Sequence, residues 1–253
     1  MQCLKRLRLK PCCVFKSNLN YSDMSIIHLS NVVKIYNEKT APVFALSGVS
    51  LSVERAELMA LMGSSGSGKT TLLNILSAID LPTSGTVEID GATIGTMSEK
   101  ELTAFRREKI GIVFQFFNLM PTLSVIENVM LPSLLLKKNS REVEARAKAL
   151  IERVGLSHRL HHQPFQLSGG EMQRTAIARA LMNNPAIIIA DEPTGNLDSK
   201  NAEQILALIR TLAEEERKTF IIATHSKEVS EIADRTVVLK DGKIVEESLV
   251  VEK

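Results

Sequence analysis

The chain has 253 residues, of which 44% are apolar, enough for one large α/β domain with room for a smaller inserted lobe. Its formal net charge of +2 is unevenly placed, because Lys5, Arg6, Arg8, Lys10 and Lys16 face only Asp23 in the first stretch. The remainder is mildly acidic and has no charge pattern suited to gripping a nucleic-acid backbone, so no nucleic-acid partner is expected.

Cys3, Cys12 and Cys13 all lie in that basic stretch. A disulfide framework is thereby excluded for the body, which suits a reducing compartment. No run approaches the roughly 18–20 apolar residues needed to cross a bilayer. Residues 1–24 read as a disordered tail or as an upstream start with Met24 as the natural one. A targeting or membrane-surface segment is a second reading. A metal site from Cys12 and Cys13 is a third, weakened by the lack of a second ligand pair.

From Ile26 the pattern changes. Ile26–Val33 and Ala45–Val53 read as strands of a small antiparallel sheet. Leu58–Met62 is a continuous apolar strand, followed by a helix over Lys69–Ile79 and a strand over Thr86–Ile89 up to the Asp90-Gly91 turn. The stretch from about 98 to 165 is mostly helical. It opens on a capping box, Ser98 with Glu101, and includes a helix over Arg141–Val154, with a short strand at Ile110–Phe114 between them. Further on, helices at Thr175–Met182 and Ala202–Leu212 alternate with strands at Ile187–Ala190, Phe220–Ala223 and Thr236–Leu239. Such alternation predicts a mainly parallel sheet covered on both faces.

Gly63-Ser64-Ser65-Gly66-Ser67-Gly68-Lys69-Thr70 matches the phosphate-loop pattern G-x-x-x-x-G-K-[ST] in full. Its glycines let backbone N–H groups converge on phosphate oxygens, and the helix that begins near Lys69 adds its positive end. Lys69 neutralises β- and γ-phosphate charge in this scheme, and Thr70 ligates Mg²⁺. The next residue, Thr71, belongs to the same nucleotide-contacting set. An apolar strand before the loop and an amphipathic helix after it argue against a chance match. The buried strand Ile187–Ala190 delivers Asp191 and Glu192 to the carboxyl edge of the sheet. Asp191 is placed to hold Mg²⁺ through a water, and Glu192 to act as general base on the attacking water.

Leu167-Ser168-Gly169-Gly170-Glu171-Met172-Gln173-Arg174 offers a second anion-binding helix start. One triphosphate does not need two such ends, so Ser168, Gly169 and Gly170 are assigned to a second ATP. The segment resembles the LSGGQ signature of ABC transporter nucleotide-binding subunits, with Glu171 in place of the glutamine, a variant not expected to impair phosphate contact. The resemblance runs from Ile26 to about Glu247. It implies that Tyr36 stacks on adenine and that Gln115 links the metal site to the helical lobe and contributes to it. It also implies that Asp198 makes a contact across a dimer and that His225 acts near the γ-phosphate. Ser226 departs from the family pattern, in which an Asp often follows that histidine. His158, His161 and His162 resemble a metal cluster, but no acid or cysteine accompanies them in sequence, and a solvated loop is the simpler reading.

Glu192-Pro193-Thr194-Gly195-Asn196-Leu197-Asp198 resembles the group that serves lipoprotein release, macrolide and peptide export, and cell division. Short surface segments, Arg153–Arg159 and Asn201–Glu203, look most like its lipoprotein-releasing members. The resemblance implies a P-loop NTPase core over residues 25–253 with an antiparallel β subdomain and an inserted helical subdomain. It implies ATP hydrolysis with Mg²⁺, a head-to-tail dimer, and integral membrane permease partners. The chain would then lie peripherally at the cytoplasmic face of the inner membrane. The patch behind Gln115, with Phe116, Phe117 and Leu119, reads either as a socket for those partners or as ordinary core. Two rivals remain: a soluble ABC ATPase acting on nucleic acid, and an ATPase that regulates cell-wall enzymes through a membrane partner without transport.

Overall fold

The computed structural model describes residues 25–249 apart from 39, 135, 137 and 138. The readings of the basic N-terminal stretch fall on residues 1–24 and lie outside the described residues. Two strands, β1 (Ser25–Tyr36) and β2 (Val43–Glu54), open the chain, and β3 (Leu58–Met62) leads through the glycine-rich loop into α1 (Lys69–Leu76). Next come β4 (Ser84–Ile89), β5 (Ala92–Thr93), α2 (Glu99–Lys109), β6 (Ile110–Val113), α3 (Val125–Leu134) and α4 (Ser140–Arg153). The chain then runs through α5 (Gly169–Leu181), β7 (Ile187–Asp191), α6 (Ser199–Glu216), β8 (Thr219–Thr224), α7 (Lys227–Ile232), β9 (Arg235–Lys240) and β10 (Lys243–Leu249).

These strands make two sheets. The first is four-stranded and antiparallel, in the order β2-β1-β4-β5. The second has the order β10-β9-β3-β8-β7-β6, parallel except for β10, which runs antiparallel along the β9 edge. The central strands are apolar along their whole length because both their faces are covered. Leu58, Ala60, Ile188, Ala190, Phe220 and Ile222 point into one core with α3 to α7. Their neighbours Met59, Leu61, Ile187, Ile189, Ile221 and Ala223 point into the other, with α1, α2 and the antiparallel sheet. Period-two alternation thus sorts each strand between two cores, and a one-residue slip would exchange them.

The helical stretch expected from about 98 to 165 divides between these cores. The capping box at Ser98 is present, with Glu101 N–H donating to Ser98 Oγ and Ser98 N–H to Glu101 Oε2. However, Leu102 of α2 packs with the phosphate-loop helix, whereas α3 and α4 pack with α5 on the far side of the sheet. Two helix boundaries and one strand show best how the structure departs from the sequence expectation. The helix expected to reach Ile79 stops at Leu76, where the Ser77 hydroxyl bonds back to the Leu73 carbonyl and Ala78 turns left-handed, with φ 52°. The helix read over Thr175–Met182, with the signature as its start, begins at Gly169, because Ser168 and Glu171 form a capping box that outweighs two glycines. Strand β10 was not expected, since its residues are mostly exposed and polar and carry little periodic signal. Among the described residues no helix is long and apolar enough to cross a membrane.

Candidate active site

The site is built where β3 ends. Gly68 caps α1 in a left-handed conformation, φ 105°, and a Cβ there would lie 2.5 Å from the Ala45 carbonyl oxygen. The loop therefore packs directly on β2, an approach that only glycine permits. A Cβ at Gly63 would meet the Leu239 carbonyl at 2.4 Å and the buried Ser67 hydroxyl at 2.6 Å. Lys69 is buried, and its ammonium donates to the carbonyls of Gly63 at 2.7 Å and Ser64 at 3.0 Å, so a positive charge is held inside the loop.

Asp191 terminates β7, and its Oδ2 lies 3.5 Å from Thr70 Oγ1. Burial pushes the Asp191 carboxyl above its ordinary range. The neighbouring Glu192 charge adds to this, against opposing pulls from Lys69 and Thr70. A partly desolvated, electron-rich carboxyl beside a hydroxyl is a donor pair suited to a hard divalent cation.

Glu192 follows with φ 43°, a left-handed backbone rare for a side chain of its size. Its N–H is tied to the Ala223 carbonyl of β8 at 2.8 Å, so the strain is held by the sheet itself. The turn aims Glu192 Oε1 at His225 Nδ1, 2.9 Å away; the glutamate side chain is 19% exposed and the histidine 70%. One cleft of about 690 Å³ gathers Ser65, Gly66, Gly68, Lys69, Thr70 and Thr71 with Gln115, Asp191, Glu192 and His225. Gly63 and Ser64 line an adjoining cleft that shares His225.

Tyr36 sits at the end of β1, beside this cleft but not in its wall. Its hydroxyl donates to Asp80 Oδ2 at 2.8 Å, and Lys34 Nζ stands 4.9 Å from its ring centre. Burial, then the hydrogen bond to Asp80, raises the Tyr36 phenol. The aromatic that does line the cleft is Phe44, 59% exposed, with Val43 beside it. Sequence reasoning missed both. Val43 pairs with Tyr36 across the β1–β2 ladder, and that pairing is the only signal that could have found them.

Ser168, Gly169 and Gly170 do not line the cleft, since α5 belongs to the opposite core. Ser168 caps α5 by accepting from Glu171 N–H. A Cβ at Gly170 would fall 2.4 Å from Asn201 Oδ1, so the start of α5 rests on the start of α6. Asp198 caps α6, and the Asn201 backbone N–H holds its carboxyl below the usual range. Gln115 is bound through its main chain: its carbonyl accepts from Asn196 Nδ2 at 2.8 Å. Just beyond, the consecutive left-handed residues Phe117 and Asn118 turn their carbonyls onto Arg179 of α5. Phe116 is 70% exposed and Met120 47%, whereas Phe117 and Leu119 are half-buried. One of the three histidines stands nearer to an acid than the spacing implied, His158 being 4.0 Å from Glu171. Even so, no group of three or more His, Cys, Asp or Glu among the described residues is arranged to hold a metal.

The family model described as ABC transporter matches residues 46–195. The chain belongs to the ABC transporter family. Its relatives include the lipoprotein-releasing system ATP-binding protein LolD of Cytophaga hutchinsonii, 44% identical over 220 residues that cover 87% of this chain and 99% of the relative. The macrolide export ATP-binding/permease protein MacB of Rhodopirellula baltica is 47% identical over 88% of this chain, but that match spans 33% of MacB. Among solved structures, the dimeric ATP-binding cassette MJ0796, in a post-hydrolysis state bound to ADP and Pi, superposes with a TM-score of 0.82 at 42% identity. That match covers 90% of this chain and 100% of the cassette. Within the ABC transporter family, this chain is an ATP-binding ATPase subunit with an α/β P-loop fold.

Proposed function

We propose that the chain hydrolyses Mg-ATP at a site shared between two copies of itself and drives separate membrane subunits in lipoprotein release or a related export. The observation that carries this is a division of parts. Lys69, Thr70, Asp191, Glu192 and His225 converge on one cleft, while the signature helix start presents Ser168–Gly170 elsewhere on the chain. A second copy turned head to tail supplies the missing helix end to each triphosphate.

In this mechanism the phosphate loop and Lys69 bind the β- and γ-phosphates. Glu192 orients the attacking water and takes its proton, and His225, hydrogen-bonded to Glu192, faces the γ-phosphate. Thr70 and Asp191, with Gln115 nearby, would hold Mg²⁺, which would supply positive charge to offset that of the phosphates. Asp198 contacts the facing chain, and Tyr36, with Phe44 beside it, offers the aromatic surface for adenine. Gln115 reports the state of the site to α3–α5, the helical lobe, because its main chain is tied to Asn196 and the next turn to Arg179. Phe116 and Met120 form the apolar landing point for membrane subunits at the cytoplasmic face of the inner membrane. The test is isolation from membranes with native partners. Co-purification of integral membrane subunits is expected, and recovery of nucleic acid or ribosomes in their place would refute the transporter reading.

The Asp191 assignment makes a separate prediction. A carboxyl raised in the fold keeps a proton that the unfolded chain has lost, so stability falls as pH rises through that window. Above it, the charged form is a standing cost. Asp191→Asn is therefore expected to melt about 2 °C higher than the native chain at pH 8 without nucleotide. The gap should close as pH falls toward the ordinary carboxylate value of about 3.9. The same variant should lose the Mg²⁺-dependent part of its stabilisation by ATP, measured by thermal melts with and without the metal. Unchanged Mg²⁺ dependence would remove Asp191 from the cation site.

A further inference from the structure

The signature of this chain carries an acid where the family pattern has an amide. Glu171 is the third residue of α5, and a negative charge there competes with a phosphate for the same positive helix end. Both its oxygens are engaged. Oε2 accepts from Ser168 N–H at 2.8 Å, and Oε1 accepts from Arg159 Nε at 2.9 Å. Arg159 comes from the single turn Ser157–Arg159 that follows α4, and its second nitrogen donates to His162 Nε2 at 3.1 Å, which fixes the orientation of the guanidinium. The pair is partly shielded from water, Glu171 being 12% and Arg159 34% exposed in their side chains. The other cation in reach, His158, is 65% exposed and charged only when protonated. Burial works to raise the Glu171 carboxyl, but the bonds from Ser168 and Arg159 prevail and hold it below the usual range, so it is anionic at neutral pH.

We propose that Arg159 is a positioning residue of the signature half-site. Its guanidinium holds Glu171 back against its own helix and cancels a charge that would otherwise repel the γ-phosphate presented by the facing chain. The proposal rests on the shared-site reading above. Its distinguishing consequence is conditional: Arg159 matters to turnover only because residue 171 is an acid.

The experiment is a double-mutant cycle on the full chain. It reads steady-state ATP turnover, with binding of a fluorescent ATP analogue to the phosphate loop as a second readout. In the native background, Arg159→Ala is expected to lower kcat about five-fold or more, with analogue affinity unchanged within about two-fold. In the Glu171→Gln background the same substitution is expected to change kcat by less than about two-fold. Equal losses in both backgrounds would overturn the proposal. Arg159→Gln, which keeps a donor but not the charge, is run in parallel, and full kcat in that variant overturns it too. Ser168→Arg separates the two levels of failure. If Ser168→Arg turns over ATP normally, the shared site itself is wrong. If it is inactive while the Arg159 losses are equal, only the present inference falls.

Discussion

Glu192→Gln is expected to lose steady-state ATP turnover by about 10²–10⁴-fold, the usual contribution of a positioned general base, while binding ATP as well as the native chain. The amide keeps the shape of the side chain and its contact with His225, but it cannot take a proton from water. The surrounding geometry supports the assignment. A strained left-handed backbone at φ 43° is retained at this glutamate, pinned by a 2.8 Å bond to β8, and it aims the carboxylate into the phosphate cleft. Because the nucleotide then stays intact between two chains, ATP should convert the variant to a dimer in light-scattering measurements. Native rates of phosphate release from Glu192→Gln would end the catalytic assignment.

Ser168→Arg is the second large effect. It places a long cation where the facing chain's γ-phosphate is proposed to lie, and it also removes the cap on α5, worth about 1 kcal/mol. ATP should still bind to the variant's own phosphate loop, which is carried between Leu61 of β3 and Leu72 of α1 in the other core. Turnover should disappear. Ser168→Asn, which preserves a capping side chain, separates the two effects: its melting temperature should stay near native. A Ser168→Arg chain that hydrolyses ATP as a monomer would show that one copy holds a whole site.

Much of this is legible in the sequence, and the reason differs from element to element. The strand Leu58–Met62 has the same limits in sequence and structure, because a fully buried strand is apolar from end to end and stops at the first glycine. The convergence of Lys69, Asp191, Glu192 and His225 could be anticipated because parallel strands deliver their carboxyl ends to one edge. What was hidden depends on partners distant in sequence. Phe44 reaches the cleft only through its ladder with β1, and β10 exists only because β9 offers it an edge. The histidine-rich turn read as solvated loop. Its Arg159 proves to be bonded to the signature helix, a contact no local pattern announces.

The central sheet, whose alternating residues face two separate cores, keeps the phosphate loop and the signature helix of one chain apart. In the proposed head-to-tail pair each chain donates one half-site to its neighbour, so two defective chains can make good each other's loss. A dimer of one Glu192→Gln copy and one Ser168→Arg copy concentrates both defects in a single site and leaves the other whole. Mixing the two inactive proteins should therefore restore turnover that neither has alone. A mixture as inert as its components would mean that the paired sites fire only together.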